Sequence, residues 1–283
     1  MTPPSSRWSD LDRPPLDERA LRRALIRPDG LWTRLDVVPR TGSTNADLTA
    51  AVRAGRAAAG TVLVAEEQHS GRGRLDRTWS APPRSGLFFS VLLRTGPEVP
   101  DERLSWLPLL AGVATATALA RAAGVDTALK WPNDVLVTVD GEERKLGGIL
   151  AERAEGGTVV LGIGLNVSLG AAELPVPGAG SLLLAGAVST DRDPLLRAVL
   201  RSLADWYTRW TAAGGDPAAA GLLDAYAAGC ATLGRRVRAE LPGGGEARGT
   251  AAAVDGEGRL VIEGDDGARR EVAAADIIHL RAT

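Results

Sequence analysis

The chain has 283 residues, 45% of them hydrophobic, and a formal charge of -2 with acidic and basic residues mixed along its length. That length accommodates one large folded unit and one small one, and the balance of charge leaves no global field to draw the chain to nucleic acid or a membrane surface. A lone cysteine, Cys230, and two distant histidines, His69 and His279, exclude a disulfide framework and a Cys/His zinc site and point to a reducing, cytoplasmic setting.

Residues 1–15, rich in Pro, Ser and Arg, have no apolar stretch of the kind a secretory signal carries and read as a loose tail. No apolar run reaches the roughly 18 residues of a membrane span, because Pro108, Arg121 and Gly164 break the longest candidates. A short helix is predicted over Leu16–Ile26, a turn at Pro28-Asp29-Gly30 and a strand over Leu35–Val38. Thr41-Gly42-Ser43-Thr44-Asn45 then leads into a helix over Ala46–Ala54. Capping that helix needs only one of Ser43, Thr44 and Asn45, and three small hydrogen-bonding side chains at a strand-to-helix junction equally suit a polar pocket wall.

Strands follow at Thr61–Glu66 and Gly86–Arg94, with an arginine-rich loop between them. Leu104–Ala123 has the spacing of a core helix, with Pro108 implying an early kink or a start inside that span. Val135–Val139 and Arg144–Glu152 flank Asp140-Gly141, a two-residue hairpin signal, and Thr158–Val167 adds another strand. A long helix is predicted to open with Asp193 as N-cap and Pro194 as its first residue. Leu196, Val199, Leu203, Trp206 and Trp210 would share its buried face, before a stop at Gly214-Gly215. Beyond Cys230, five short strands split by Gly-rich turns suggest a small SH3-like barrel, placing a domain boundary near residue 230.

Of the 33 basic residues only two are lysine, Lys130 and Lys145. An ammonium is a compact point charge and a guanidinium a planar fork, so a site that needs one movable cation beside a small anion singles out these two. Gly71-Arg72-Gly73-Arg74-Leu75-Asp76-Arg77-Thr78-Trp79 places three guanidinium groups and an indole in nine residues, the makings of an anion clamp. Asp76 occupies the third glycine position of a dinucleotide fingerprint and no Gly-Lys-Ser/Thr follows, so the loop is neither that motif nor a Walker A loop. A solvated basic turn and an RNA contact are the other readings. Three like charges this close repel, which predicts a loop that orders when an anion arrives. Lys130-Trp131-Pro132-Asn133-Asp134 ends a strand, Lys145 precedes Gly147-Gly148 on the returning arm of the hairpin, and Gly162-Ile163-Gly164-Leu165-Asn166 closes the next strand. Glycine inside a strand often marks close approach by a ligand or another backbone.

In this order, from about Leu16 to the C-terminus, the blocks resemble those of the biotin protein ligases, the enzymes that attach biotin to carrier-domain lysines. The resemblance implies an α+β fold: a catalytic domain over 16–230 like those of class II aminoacyl-tRNA synthetases, a mixed sheet with helices, then an SH3-like β-barrel over 231–283. It implies biotin as substrate, ATP with Mg2+ as co-substrate and ion, no metal held by a side-chain cluster, and the biotin carboxyl carrier domain of acyl-CoA carboxylases as protein partner. Ser43, Thr44, Asn45, Gln68, Gly73, Arg74, Gly148 and Gly162 would line the biotin site. Arg72 and Lys145 would be the catalytic cations between the biotin carboxylate and the α-phosphate. Arg74, Arg77, Trp79, Asn133 and Asn166 would serve the nucleotide. Lys130 and Asp134 would support, Asp134 by orienting Lys130, positioning metal-bound phosphate or accepting a proton.

Asp76 departs from the glycine common at its position, which puts the loop's closed geometry in question. About forty residues before Thr41, rich in proline, are too few for the helix-turn-helix some relatives carry, so no DNA partner is expected. A monomer or weak homodimer without membrane attachment completes the expectation. Its rivals are a lipoate or octanoate ligase of the same fold and a non-catalytic nucleic-acid adaptor.

Overall fold

The computed structural model describes residues 13–74, 77–241 and 244–280. Most of the expected tail (1–12) and Leu75-Asp76, on which the loop's departure turns, lie outside these residues.

Helix α1 (Glu18–Leu25) is capped by Asp17, whose carboxylate accepts from Ala20 N at 2.9 Å. Strand β1 (Arg34–Val38) leads to helix α2 (Thr44–Arg53), with Ser43 as its N-cap, and then to β2 (Thr61–Ala65), which pairs with β1 in parallel. The arginine-rich loop contains a two-stranded ribbon, β3 (Gly71–Arg72) and β4 (Thr78–Trp79). After β5 (Gly86–Arg94) comes helix α3 (Trp106–Ala122), then β6 (Thr127–Lys130), β7 (Asp134–Val139), β8 (Glu142–Ala154) and β9 (Thr158–Asn166). The large sheet runs β1-β2-β5-β9-β8-β7-β6, antiparallel except for the first pair. At the β7–β8 turn, Asp140 and Gly141 both have positive φ (52° and 78°), as a two-residue hairpin with the sheet's twist requires.

Helices α4 (Arg192–Ala212) and α5 (Leu222–Gly229) complete the first part. The start of α4 corrects the expectation. Asp191 is the N-cap, accepting from Asp193 N at 3.0 Å, and Pro194 falls in the first turn, where a missing N–H costs no intrahelical bond. Its buried face carries Tyr207 in place of Trp206, which lies half out with the Arg209 guanidinium stacked 3.8 Å from its ring. Pro108 likewise sits in the first turn of α3, preceded by a 3-10 turn over Asp101–Ser105. Contrary to the sequence expectation, Asp101–Ala122 has the length and apolarity of a membrane span, yet Trp106, Leu107, Leu110, Ala111 and Ala114 are fully buried in the protein core.

Alternation along the strands divides the sheet into two faces. Leu161, Ile163 and Leu165 of β9 point into a large apolar cluster with α1, α3 and α4. On the other face Val160 packs with Leu48 of α2 and Leu92 of β5, so α2 covers the opposite side. Gly162, Gly164 and Asn166 continue that second face; β8 answers with Gly148, Leu150 and Glu152, paired with Gly164, Gly162 and Val160. Apart from Leu150, these residues have small or polar side chains, and a cleft opens beside α2 where apolar residues would have closed the surface.

The C-terminal part is a five-stranded antiparallel sheet, β10 (Arg236–Glu240), β11 (Glu246–Val254), β12 (Leu260–Glu263), β13 (Arg269–Val272) and β14 (Asp276–His279), in the order β13-β12-β11-β10-β14. It is seated on the Lys130–Asp134 segment. Trp131 N donates to Thr232 Oγ1 at 3.1 Å, Trp131 Nε1 to Gly258 O at 2.9 Å, and Trp106 Nε1 to Gly256 O at 2.9 Å. Arg235 holds Glu143 with two bonds of 2.7 and 2.6 Å. One apolar cluster runs through both parts, from Leu16 to Ile277.

Candidate active site

A cavity of about 650 Å³ opens over the row of glycines, and every site residue singled out in the sequence lines it. At one end stands the start of α2. Ser43 is spent on capping, its hydroxyl 3.5 Å from Ala46 N. Thr44 N donates to Gln68 Oε1 at 2.8 Å, and Ser90 Oγ lies 2.7 Å from Thr44 Oγ1 and 2.6 Å from Asn45 Oδ1. The Asn45 amide also donates to Leu150 O at 3.3 Å and to Glu152 Oε2 at 2.8 Å, so its N–H groups are taken by the protein and it serves as a fixed wall. Glycine at 162 is what admits this wall: a Cβ there would lie 2.1 Å from Asn45 Oδ1.

Lys145 reaches the cavity because β8 is bulged. Asp134 and Val135 pair with Gly148 and Gly147, but Leu136 pairs with Lys145, leaving Leu146 as the extra residue, fully buried in the core. Simple alternation would put Lys145 on the core side with Ile149; the extra residue turns it to the cleft. Its backbone is pinned on the other side by Lys145 N→Gly178 O and Gly180 N→Lys145 O, both 2.8 Å. Lys145 Nζ stands 2.6 Å from Asp134 Oδ1 and 6.0 Å from the Trp79 ring centroid.

The arginines all have internal partners. Arg72 meets Glu152 at 3.1 Å, Arg77 pairs with Asp276 of β14, and Arg74 approaches Asn133 Oδ1 and Ala275 O at 3.4 and 3.5 Å. The repulsion expected among them is offset by these groups. Asn133 is itself locked to β8, its Nδ2 donating to Ile149 O at 2.9 Å. Burial holds the Arg74 guanidinium below its ordinary range against the opposing pull of Asp276 and Asp134.

Trp79 covers the far end. A Cβ on Gly164 would touch its indole at 3.1 Å, and a Cβ on Gly148 would lie at ordinary contact, 3.7 Å. Two buried polar atoms at this end have no partner among the described residues: Trp79 Nε1, a donor, and Asn166 Oδ1, an acceptor, Asn166 Nδ2 being bound to Gly180 O at 2.9 Å. Lys130 lies half-buried, and burial first, then Lys145, lowers its pKa despite Asp134. Asp134 thus forms its ion pair with Lys145, not Lys130. His279, whose ring nitrogens face Thr232 and Arg235 at 3.2 Å each, is pushed down to about 4 by burial and by the charges of Lys130 and Arg235, so it stays neutral.

Residues 37–168 match the Biotin/lipoate A/B protein ligase family and residues 232–280 the Biotin protein ligase C terminal domain. Over 273 residues the chain is 44% identical to the biotin–[acetyl-CoA-carboxylase] ligase of Mycobacterium tuberculosis, a match covering 95% of this chain and 97% of that one. The chain belongs to the biotin protein ligase family. Its fold is similar to that of the Aquifex aeolicus biotin protein ligase in complex with biotin and ATP (26% identity, TM-score 0.70, 89% of this chain and 100% of that one covered). It is similar too to the Leishmania major ligase in complex with biotinyl-5-AMP (25% identity, TM-score 0.56, 86% and 99% covered).

The ligase also brings groups to this site that sequence reasoning missed. Ser90 and Glu152 buttress Asn45 from neighbouring strands, and Glu240, Ala275 and Asp276 of the C-terminal part rim the cavity. Glu152 had one available signal: four residues after Gly148, it falls on the cleft face of β8 by alternation. The carboxylates of the C-terminal sheet had none, being more than 160 residues from the loop they face.

Proposed function

We propose that the chain is an ATP-dependent biotin ligase. The biotin carboxylate attacks the α-phosphorus of ATP, pyrophosphate leaves, and a lysine amine of a biotin carboxyl carrier domain then displaces AMP from biotinoyl-5'-AMP. The observation that carries this reading is one cavity with three zones: uncharged hydrogen-bonding groups around Thr44 and Gln68, cations at Arg72 and Lys145, and an indole beside an orphan amide oxygen at Trp79 and Asn166.

The polar end suits a ureido ring. Gln68 Oε1 is held by Thr44, and its amide nitrogen has no partner among the described residues and is left to meet a carbonyl. Lys145 and Arg72 neutralise the two anions that must meet and stabilise the charge that builds on the α-phosphate, a preorganised effect typically worth on the order of a hundredfold or more in rate. Asp134, bound to Lys145, orients that ammonium; as an acceptor it can also take a proton from the incoming amine. At the far end, Asn166 Oδ1 accepts from the exocyclic amine of adenine, a donor that guanine replaces with an oxygen. Mg2+ enters with the triphosphate, since it keeps most of its waters and needs only one or two carboxylates; among the described residues no three His, Cys, Asp or Glu side chains converge.

On strand number and order we read the C-terminal sheet as an SH3-like barrel that fixes the Lys130–Asp134 segment and the arginine loop, and the first part as a fold of the class II synthetase kind. A cytoplasmic setting fits ATP as co-substrate and a reduced Cys230. Pyrophosphate release measured side by side with biotin and lipoate tests the substrate: release with biotin supports the reading, and release with lipoate alone overturns it.

A further inference from the structure

Glu152 has no part in the reaction described above, yet it joins the two halves of the site. One carboxylate oxygen accepts from Asn45 Nδ2 at 2.8 Å, and the other lies 3.1 Å from Arg72 Nη1. Asn45 is buried and fixed by Ser90, Leu150 O and Glu152, whereas the Arg72 side chain is half exposed, so the rigid partner is Asn45 and the movable one is Arg72. Behind the loop, a second opening of about 430 Å³ is lined by Arg72, Gly73, Arg74 and Glu152. A carboxylate left there without its arginine faces water, so breaking the pair carries little desolvation cost.

We propose that Glu152 is a positioning and specificity residue: a resident carboxylate that holds Arg72 over the biotin pocket until the substrate's own carboxylate takes its place. The inference rests on the reading that Arg72 meets the biotin carboxylate. Glu152 keeps the guanidinium aimed at the cleft while the site is empty and competes with any carboxylate ligand for it. A neutral ligand of the same shape gains nothing from Arg72 and displaces nothing.

Binding of biotin and of biotinamide, which lacks the carboxylate charge, is measured without ATP by calorimetry. In Glu152→Gln the amide oxygen still accepts from Asn45 but no longer neutralises Arg72. Biotin is expected to bind roughly two- to fivefold more tightly, the range of a half-exposed ion pair, with biotinamide shifting less than biotin. In an Arg72→Gln background the same substitution is expected to leave the biotin-to-biotinamide ratio unchanged. Equal shifts for the two ligands, weaker binding of biotin relative to biotinamide, or an unaltered effect without Arg72 would each overturn the proposal. Failure of the unsubstituted protein to bind biotin would instead strike the functional reading beneath it.

Discussion

Lys145 Nζ stands 2.6 Å from Asp134 Oδ1 on the neighbouring strand, at the point where the extra residue Leu146 has rotated the lysine out of the core and into the cleft. The pair fixes a point charge where a carboxylate and a phosphate are to meet. Lys145→Arg keeps the charge but replaces the ammonium with a wider fork. Adenylation, followed as biotin-dependent pyrophosphate release, is expected to fall by on the order of a hundredfold with the fold retained. Near-normal turnover would show that any cation suffices. Asp134→Asn is expected to lower the same rate less than the lysine change does.

Gly162 is the position at which the biotin end of the cavity is most exposed to substitution. A methyl group in Gly162→Ala would meet Asn45 Oδ1 at 2.1 Å, and Asn45 is held on three sides. The biotin KM is expected to rise at least about tenfold with the ATP KM little changed, one such factor corresponding to about 1.4 kcal/mol. Equal rises in both would place the damage elsewhere.

The orphan acceptor Asn166 Oδ1 predicts nucleotide choice. GTP presents an oxygen where ATP presents an amine, and two acceptors facing each other leave both unpaired. ATP is expected to be preferred by one to two orders of magnitude in kcat/KM, on the order of 1–3 kcal/mol for an unsatisfied buried group. Asn166→Asp, which retains the acceptor, is expected to keep more of the preference than Asn166→Leu; comparing GTP and ATP rates in the two variants checks this.

His279 is pushed down to about 4 from 6.5, so in the folded state it binds fewer protons than in the unfolded chain between those values. Its contribution to stability is complete above about pH 6.5 and is lost as pH falls through 4. The Tm of the protein is expected to drop across that window, and in His279→Asn to drop less steeply. Parallel profiles would mean that the histidine is not the group responsible.

The buried pair Glu66–Arg192, 2.6 Å apart with side chains 9% and 5% exposed, ties the start of α4 to the strand-end that carries Gln68. Glu66 also accepts from Leu16 N at 2.7 Å. Glu66→Ala strands the arginine charge and is expected to cost about 3–5 kcal/mol in denaturant unfolding, far more than loss of the exposed Arg153–Asp101 pair.

Much of this arrangement was legible in the chain because it is written in local pattern. Period-two alternation in Thr158–Asn166 separates core residues from cleft residues, Asp140-Gly141 specifies the hairpin, and the capping role of Ser43 leaves Thr44 and Asn45 for the pocket. Two misplacements came from near-equivalent local signals. Asp191 and Asp193 both suit an N-cap, and Trp206 and Tyr207 adjoin on one helix, where only packing decides which is buried. The groups that were not foreseen act across the fold. Glu152 reaches Asn45 over 107 residues and Asp276 reaches Arg77 over 199, and no pattern within either segment encodes such a pair.

Joining biotin to a protein lysine through an adenylate is the reaction we propose for this cavity. Its most direct test is intact-mass spectrometry of a biotin carboxyl carrier domain after incubation with the chain, ATP, Mg2+ and biotin, with lipoate replacing biotin in a parallel reaction. The expected result is a single addition of biotin less one water on the carrier, absent without ATP and formed on the order of a hundredfold more slowly by the Lys145→Arg protein. An unmodified carrier with biotin and a modified one with lipoate would contradict the account.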